Sequence, residues 1–270
     1  VNDAVQMARC TNADCSAVVV TALTGAVGTT SASASIYIDT DGFARIAYRD
    51  VLNSDLRFIQ CTNADCSTRN DNAVETTGDI GEWNSIARAS DGFARISYLD
   101  STNNDIKYAQ CTNATCTTSS ITTLDFNNAT TATFIVQASD GFSRVAYARG
   151  ATNDLMMAKC NNASCSSFQT YVVDSAGDVG SYASIAMGLD GYPRFSYGDV
   201  TRDDLKFARM TSDTGQEVVA GSTLGTGTAY YGQLYSKGVN LQGGMSIDNT
   251  GRTLPAISVT GGGTYLRGTD

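Results

Sequence analysis

The chain has 270 residues and a formal net charge of −9, from 18 Lys plus Arg against 27 Asp plus Glu, with no histidine and eight cysteines. Without an imidazole, no Ser-His-Asp triad and no histidine metal site is possible within it. Its acidity argues against bare nucleic acid as a partner, and no stretch approaches the roughly 20 apolar residues of a membrane span.

The chain opens with two short strand-like runs, residues 4–9 and 17–22, on either side of Cys10 and Cys15. A repeating unit then begins. Residues 35–38 read as a first strand, and Asp41-Gly42 supplies a tight hairpin turn. Residues 45–50 form a second strand, with Ile46 and Tyr48 facing one way and Arg45 and Ala47 the other. An Asp- and Asn-rich loop leads to a third strand at 56–60, then Cys61 and Cys66, then a less regular fourth strand at 73–76. The unit recurs with Asp91-Gly92, Asp140-Gly141 and Asp190-Gly191, spaced 50, 49 and 50 positions from Asp41 onward. The cysteines keep step at Cys111/Cys116 and Cys160/Cys165. No stretch carries a helical period, so the expected class is all-β.

Four antiparallel strands per unit is the sequence form of a propeller blade. The pattern Ser-Ile, Asp-Gly, Arg-Ile-Ser-Tyr, Asp-Leu-Lys-Tyr also resembles β-propeller repeat proteins of secreted or cell-surface microbial type. That resemblance implies a scaffold, a ligand site at the axis and little about the ligand. The expectation is one domain over 1–270, a five-bladed propeller with units near 33–82, 83–131, 132–181 and 182–242. Residues 1–32 and 243–270 would share the closing blade, through 244–247 and 254–260 as its first two strands. Residues 264–267 are a spare third strand, which leaves open a longer array or strand donation to another copy.

Two cysteines five positions apart around a turn lie within disulfide reach when they face each other across a hairpin. Pairs on separate blades cannot converge on one metal ion, and two thiolates without histidine do not complete a zinc site. The expected bridges are Cys10–Cys15, Cys61–Cys66, Cys111–Cys116 and Cys160–Cys165, with no metal and no cofactor. Disulfides imply a secreted or cell-surface location in an oxidising compartment. No signal peptide is visible, so a longer precursor or a fragment is expected. Asn113, Asn128 and Asn162 begin glycosylation sequons.

The candidate ligand face carries the loops that precede the first strands. Asp79, Glu82 and Trp83 lie in one such loop, Asp178 and Tyr182 in its counterpart two units later. Aromatic rings beside carboxylates suit a sugar, although the same rings would also serve as filler between blades. The last unit is overlong: 60 positions separate Asp190 from Thr250. The surplus at 224–243 holds Tyr230, Tyr231 and Tyr235, and is either an insertion of the kind that often lies on a binding face or a longer closing segment. Asp50, Asp100, Asp154 and Asp199 begin or end loops that either bind calcium or cap turns. Arg45, Arg95, Arg144 and Arg194 form either an anion-binding ring or cross-strand pairs. Glu82 with Asp79 or Asp178 is the one acid pair available for glycosidase chemistry. The leading reading is a recognition or adhesion module for a glycan or extracellular protein. A self-associating structural subunit and, less favoured, a carbohydrate-active enzyme are the others.

Overall fold

The computed structural model describes residues 4–28, 33–126, 129–211, 218–224, 235–236 and 239–240. An N-terminal hairpin, β1 (Gln6–Cys10) and β2 (Val18–Ala22), comes first. The first full sheet is β3 (Ala34–Ile38), β4 (Ala44–Asp50), β5 (Asp55–Cys61) and β6 (Arg69–Glu75). The second is β7 (Ile80–Arg88), β8 (Ala94–Asp100), β9 (Asp105–Cys111) and β10 (Ser119–Asp125). The third is β11 (Ala129–Gln137), β12 (Ser143–Arg149), β13 (Asp154–Cys160) and β14 (Phe168–Asp174). The fourth is β15 (Val179–Met187), β16 (Pro193–Asp199), β17 (Asp204–Met210) and β18 (Val218–Leu224). A short pair, β19 (Tyr235–Ser236) and β20 (Val239–Asn240), completes the described strands. Each full sheet is an antiparallel meander in chain order.

The core lies between sheets, not within one. Met7 and Leu23 of the hairpin region pack with Ile46 and Tyr48 of the first sheet. Leu56 and Phe58 of that sheet pack with Ile80 and Ile96 of the second. Tyr108 then meets Val145 and Tyr147 of the third, and Leu155 meets Phe195 and Tyr197 of the fourth. The first strands β3, β7, β11 and β15 contact one another in succession, which makes them the inner strands of the stack. Apolar residues on both faces of a strand explain this: the middle strands β4 and β8 are buried along their whole length.

The Asp-Gly turns are the strongest local device. Gly42, Gly92, Gly141 and Gly191 have φ of 80–86°, open to glycine at little cost. The preceding Asp accepts a hydrogen bond from the backbone N–H two residues on, 2.9 Å for Asp41 and Phe43. The repeated arginines complete the device and do not form an anion-binding ring. Arg45, Arg95, Arg144 and Arg194 each pair with the turn aspartate four residues earlier. Arg45 also donates to the carbonyl of Cys61 at 3.2 Å. The hydrogen bond from Arg194, with the N–H of Tyr192 and the charge of Arg194, pulls the Asp190 carboxyl down to about 2. The pairing is mainly local to the hairpin turn, and Arg45 also reaches Asp39, just past the end of β3, at 3.1 Å.

All four disulfides close, with Cα separations of 4.7–4.8 Å. They staple the turn itself and not two facing strand residues. Cys61 faces Arg69 across the ladder. Its bonded partner Cys66 sits inside the turn with φ near 56° and donates its N–H to Asn63 O. Closed disulfides belong to an oxidising, extracellular-type compartment. Among the described residues, no helix is long and apolar enough to cross a membrane.

Candidate functional site

The inner strands of the second and fourth sheets share an irregular start. The sequence places residues 78–83 in a loop, whereas β7 already begins at Ile80. The ladder slips between Ile80 and Glu82 and again between Glu82 and Ser85. β15 slips at the matching places. Gly81 and Gly180 make this possible. A Cβ on Gly81 would lie 3.1 Å from Leu56 Cα, and one on Gly180 would lie 2.9 Å from Leu155 Cα, both in the preceding sheet.

The slip leaves Trp83 and Tyr182 in the left-handed region, with φ of 50° and 51°. Such values are genuine outliers for bulky side chains. Trp83 is 40% exposed and Tyr182 is 73% exposed. Their rings meet edge to face, with centroids 6.3 Å apart. The matching position of the third sheet holds Ala132, a small buried residue. Aromatics from sheets two and four therefore touch although a whole sheet lies between them in the chain order.

The support beneath is polar and satisfied. Thr133 Oγ1 lies 3.2 Å from Trp83 O and 2.8 Å from Ser97 Oγ. The buried Asn84 donates to Gly81 O at 2.9 Å and Ser33 Oγ at 2.8 Å, and accepts from Ser35 Oγ at 2.7 Å. These bonds hold the unusual backbone in place.

The nominated carboxylates are part of an inter-sheet ion pair. Arg49, buried at the end of β4, donates to Asp79 and lies 3.5 Å from Glu82. Glu82 also accepts from Ser101 Oγ at 2.5 Å. The Asp79 N–H donates to Thr102 Oγ1 at 2.7 Å, and the Asp178 N–H donates to Thr201 Oγ1 at the same distance. Ala148 stands where Arg49 would be beside Asp178, and Ser181 replaces Glu82. The two aromatic positions thus share a scaffold and differ in charge.

The loop aspartates act as caps. Asp100 Oδ1 accepts from the Thr102 N–H at 3.0 Å and the Asn103 N–H at 3.2 Å. Among the described residues, no three His, Cys, Asp or Glu side chains gather as a metal site. Tyr230 and Tyr231 lie outside the described residues, and Tyr235 is described through the backbone of β19 alone.

A second polar feature was not foreseen. In three inter-sheet contacts a carboxylate ending one sheet's fourth strand meets a tyrosine and a cation of the next. Glu75 accepts from Tyr98, and Lys107 bridges Glu75 at 2.8 Å and Asp100 at 2.9 Å. Asp174 accepts from Tyr197 at 2.7 Å, while Lys206 bridges Asp174 at 3.1 Å and Asp199 at 3.0 Å. Asp125 accepts from Tyr147 at 3.0 Å and pairs with Arg149 at 2.8 Å. A position count from Cys61, Cys111 and Cys160 finds the acid at the fourteenth residue beyond each.

No protein-family model matches the chain, and no curated protein sequence does. Its backbone is similar to a protein of unknown function from Dyadobacter fermentans, with a TM-score of 0.52 at 12% identity over 72% of this chain and 68% of that one. A polysaccharide lyase, an ulvan lyase solved with a -[GlcA(1-4)Rha3S]- unit, gives 0.51 at 10% identity over 82% and 65%. The chain spans about two thirds of the length of each. An α-L-arabinofuranosidase from Lactobacillus brevis gives 0.47 at 8% identity over 84% and 85%. The class is therefore an all-β, propeller-like fold with four complete four-stranded sheets and a partial fifth.

Proposed function

We propose that this chain is a secreted or cell-surface recognition module that binds a glycan, with Trp83 and Tyr182 as its platform and Asp79, Glu82 and Asp178 beside it. The carrying observation is the aromatic pair. A filler between blades is buried, yet both rings are exposed. Each also holds a backbone conformation that costs about 1–3 kcal/mol in a bulky residue. Glycine would relieve that cost, so an aromatic there is retained for what it presents to solvent. Aromatic faces cover the apolar side of a sugar ring while flanking polar groups read its hydroxyls. A polysaccharide lyase built on a similar fold supports the glycan class. The tie of Asp79 and Glu82 to Arg49 favours recognition over acid–base hydrolysis. A glycan array identifies the ligand, and Trp83→Gly then tests the site. Affinity is expected to fall at least tenfold, with unfolding free energy unchanged or raised by about 1 kcal/mol as the strain is released. A destabilised variant that keeps full affinity would return Trp83 to the role of filler.

We further infer that residues 243–270 close the ring as the inner half of a fifth blade whose outer half is β1 and β2, giving one domain over 1–270. Ile36 on β3 is 52% exposed, whereas its counterparts Ile86, Ile135 and Ile185 are 7%, 8% and 9% exposed. An inner strand from 244–247 would cover it. Deletion of 243–270 is expected to lower the melting temperature and drive self-association through this apolar strip. An equally stable monomer would count against closure and favour a subunit that accepts a strand from another copy.

A further inference from the structure

The contact between the N-terminal hairpin and the first sheet breaks the pattern of the other three. The fourteenth residue after Cys10 is Thr24, not an acid. Its hydroxyl accepts from the Val5 N–H at 3.0 Å and donates to Gly25 O at 2.7 Å, so it stays within its own segment. Tyr48 and Arg57, counterparts of Tyr98 and Lys107, turn instead to Asp71 of their own sheet. Tyr48 donates to it at 2.9 Å, and Arg57 Nε lies 3.1 Å from its Oδ1.

Two consequences follow. A cavity of about 820 Å³ opens between Thr24, Tyr48, Asp50, Arg57 and Asp71, within the range of small-ligand clefts. Among the described residues, Asp50 has no paired cation. Its counterparts Asp100 and Asp199 each hold a lysine ammonium. Asp50 is 8% exposed, and its Oδ2, the oxygen that holds the ammonium in Asp100 and Asp199, accepts from Asn53 Nδ2 at 2.7 Å and meets no cation among the described residues.

We propose that this cavity binds a small ligand bearing a primary ammonium group, with Asp50 as its counter-ion. The same carboxylate position accepts an ammonium in two sister sheets, which selects that chemistry. Calcium favours several carboxylates, and no three His, Cys, Asp or Glu side chains gather among the described residues. The argument is independent of the aromatic platform.

Calorimetry on the full chain at neutral pH tests it, with cadaverine and glucosamine as ammonium probes and N-acetylglucosamine as the neutral control. Binding by cadaverine alone identifies an alkyl amine, and binding by glucosamine an amino sugar. Asp50→Asn is expected to weaken binding of the amines at least tenfold. Arg57→Lys restores the ammonium of the sister sheets, so it is expected to abolish amine binding and raise the melting temperature. The proposal is overturned if neither amine binds, or if Arg57→Lys binds the amines like the natural chain.

Discussion

Lys107→Met is expected to cost about 3–5 kcal/mol of stability, the usual penalty for stripping one partner from a buried ion pair. Adding Asp100→Arg is expected to recover at least half of it. Among the described residues Lys107 is the cation that pairs with Glu75, and it also serves Asp100, whose side chain is almost wholly enclosed. Without the ammonium, two carboxylates share a buried region with the Tyr98 hydroxyl. The third sheet shows the natural remedy. Met156 stands at the position of Lys107, and Arg149 stands at that of Asp100. Arg149 reaches Asp125 from the end of β12, through Nε at 2.9 Å and Nη2 at 2.8 Å. The cation has moved from one strand to its neighbour, and an acid has gone with the exchange. Recovery is incomplete because Asp100 also caps the Thr102 and Asn103 amides. Urea unfolding of the two variants measures both numbers. A double variant no more stable than Lys107→Met would show that the two arrangements are not interchangeable.

The stack of sheets was legible because its determinants are local. An Asp-Gly pair specifies its turn through the φ that glycine allows, and cysteines five apart need only a tight turn to meet. Even there the sequence misleads slightly. It expects the cysteines to face across the strands, whereas Cys66 adopts φ near 56° inside the turn. The aromatic site was half legible. Trp83 and Tyr182 stand out by type and by matching position. Their contact depends on a ladder slip set by the approach of Gly81 to Leu56 and of Gly180 to Leu155, neighbours some 25 residues away in the preceding sheet. The tyrosine–acid–cation clusters were not legible, because Glu75 and Tyr98 are 23 residues apart on different sheets. Asp50 illustrates the limit most clearly. In sequence it is one more member of the Asp50, Asp100, Asp199 series. Its missing partner emerges only when Arg57 is seen to choose Asp71.

The same clusters predict how the fold fails in alkali. The tyrosine equivalents Tyr48, Tyr98 and Tyr147 and Tyr197 all have hydroxyls held well above the usual value, first by burial and then by the adjoining carboxylate. An unfolded tyrosine ionises near pH 10. A raised folded value adds stability that is fully present below about pH 10 and is lost as pH rises toward the folded value. Each such group forfeits about 1.4 kcal/mol per pH unit above 10. The four act together, so stability falls steeply with pH above 10. Lys107 and Lys206 act in the same direction. Burial opposes their charge, but bonds to Glu75 and Asp100, and to Asp199 and Asp174, outweigh it and raise both values. Unfolding is thus expected as one cooperative step above pH 10. Tyrosinate absorbance followed alongside circular dichroism resolves it. Of the 13 tyrosines, these four should ionise only as the β signal collapses. A smooth titration of all 13 near pH 10 with the fold intact would mean that the hydroxyls are reached by solvent, and that the neighbouring carboxylates do not bind them.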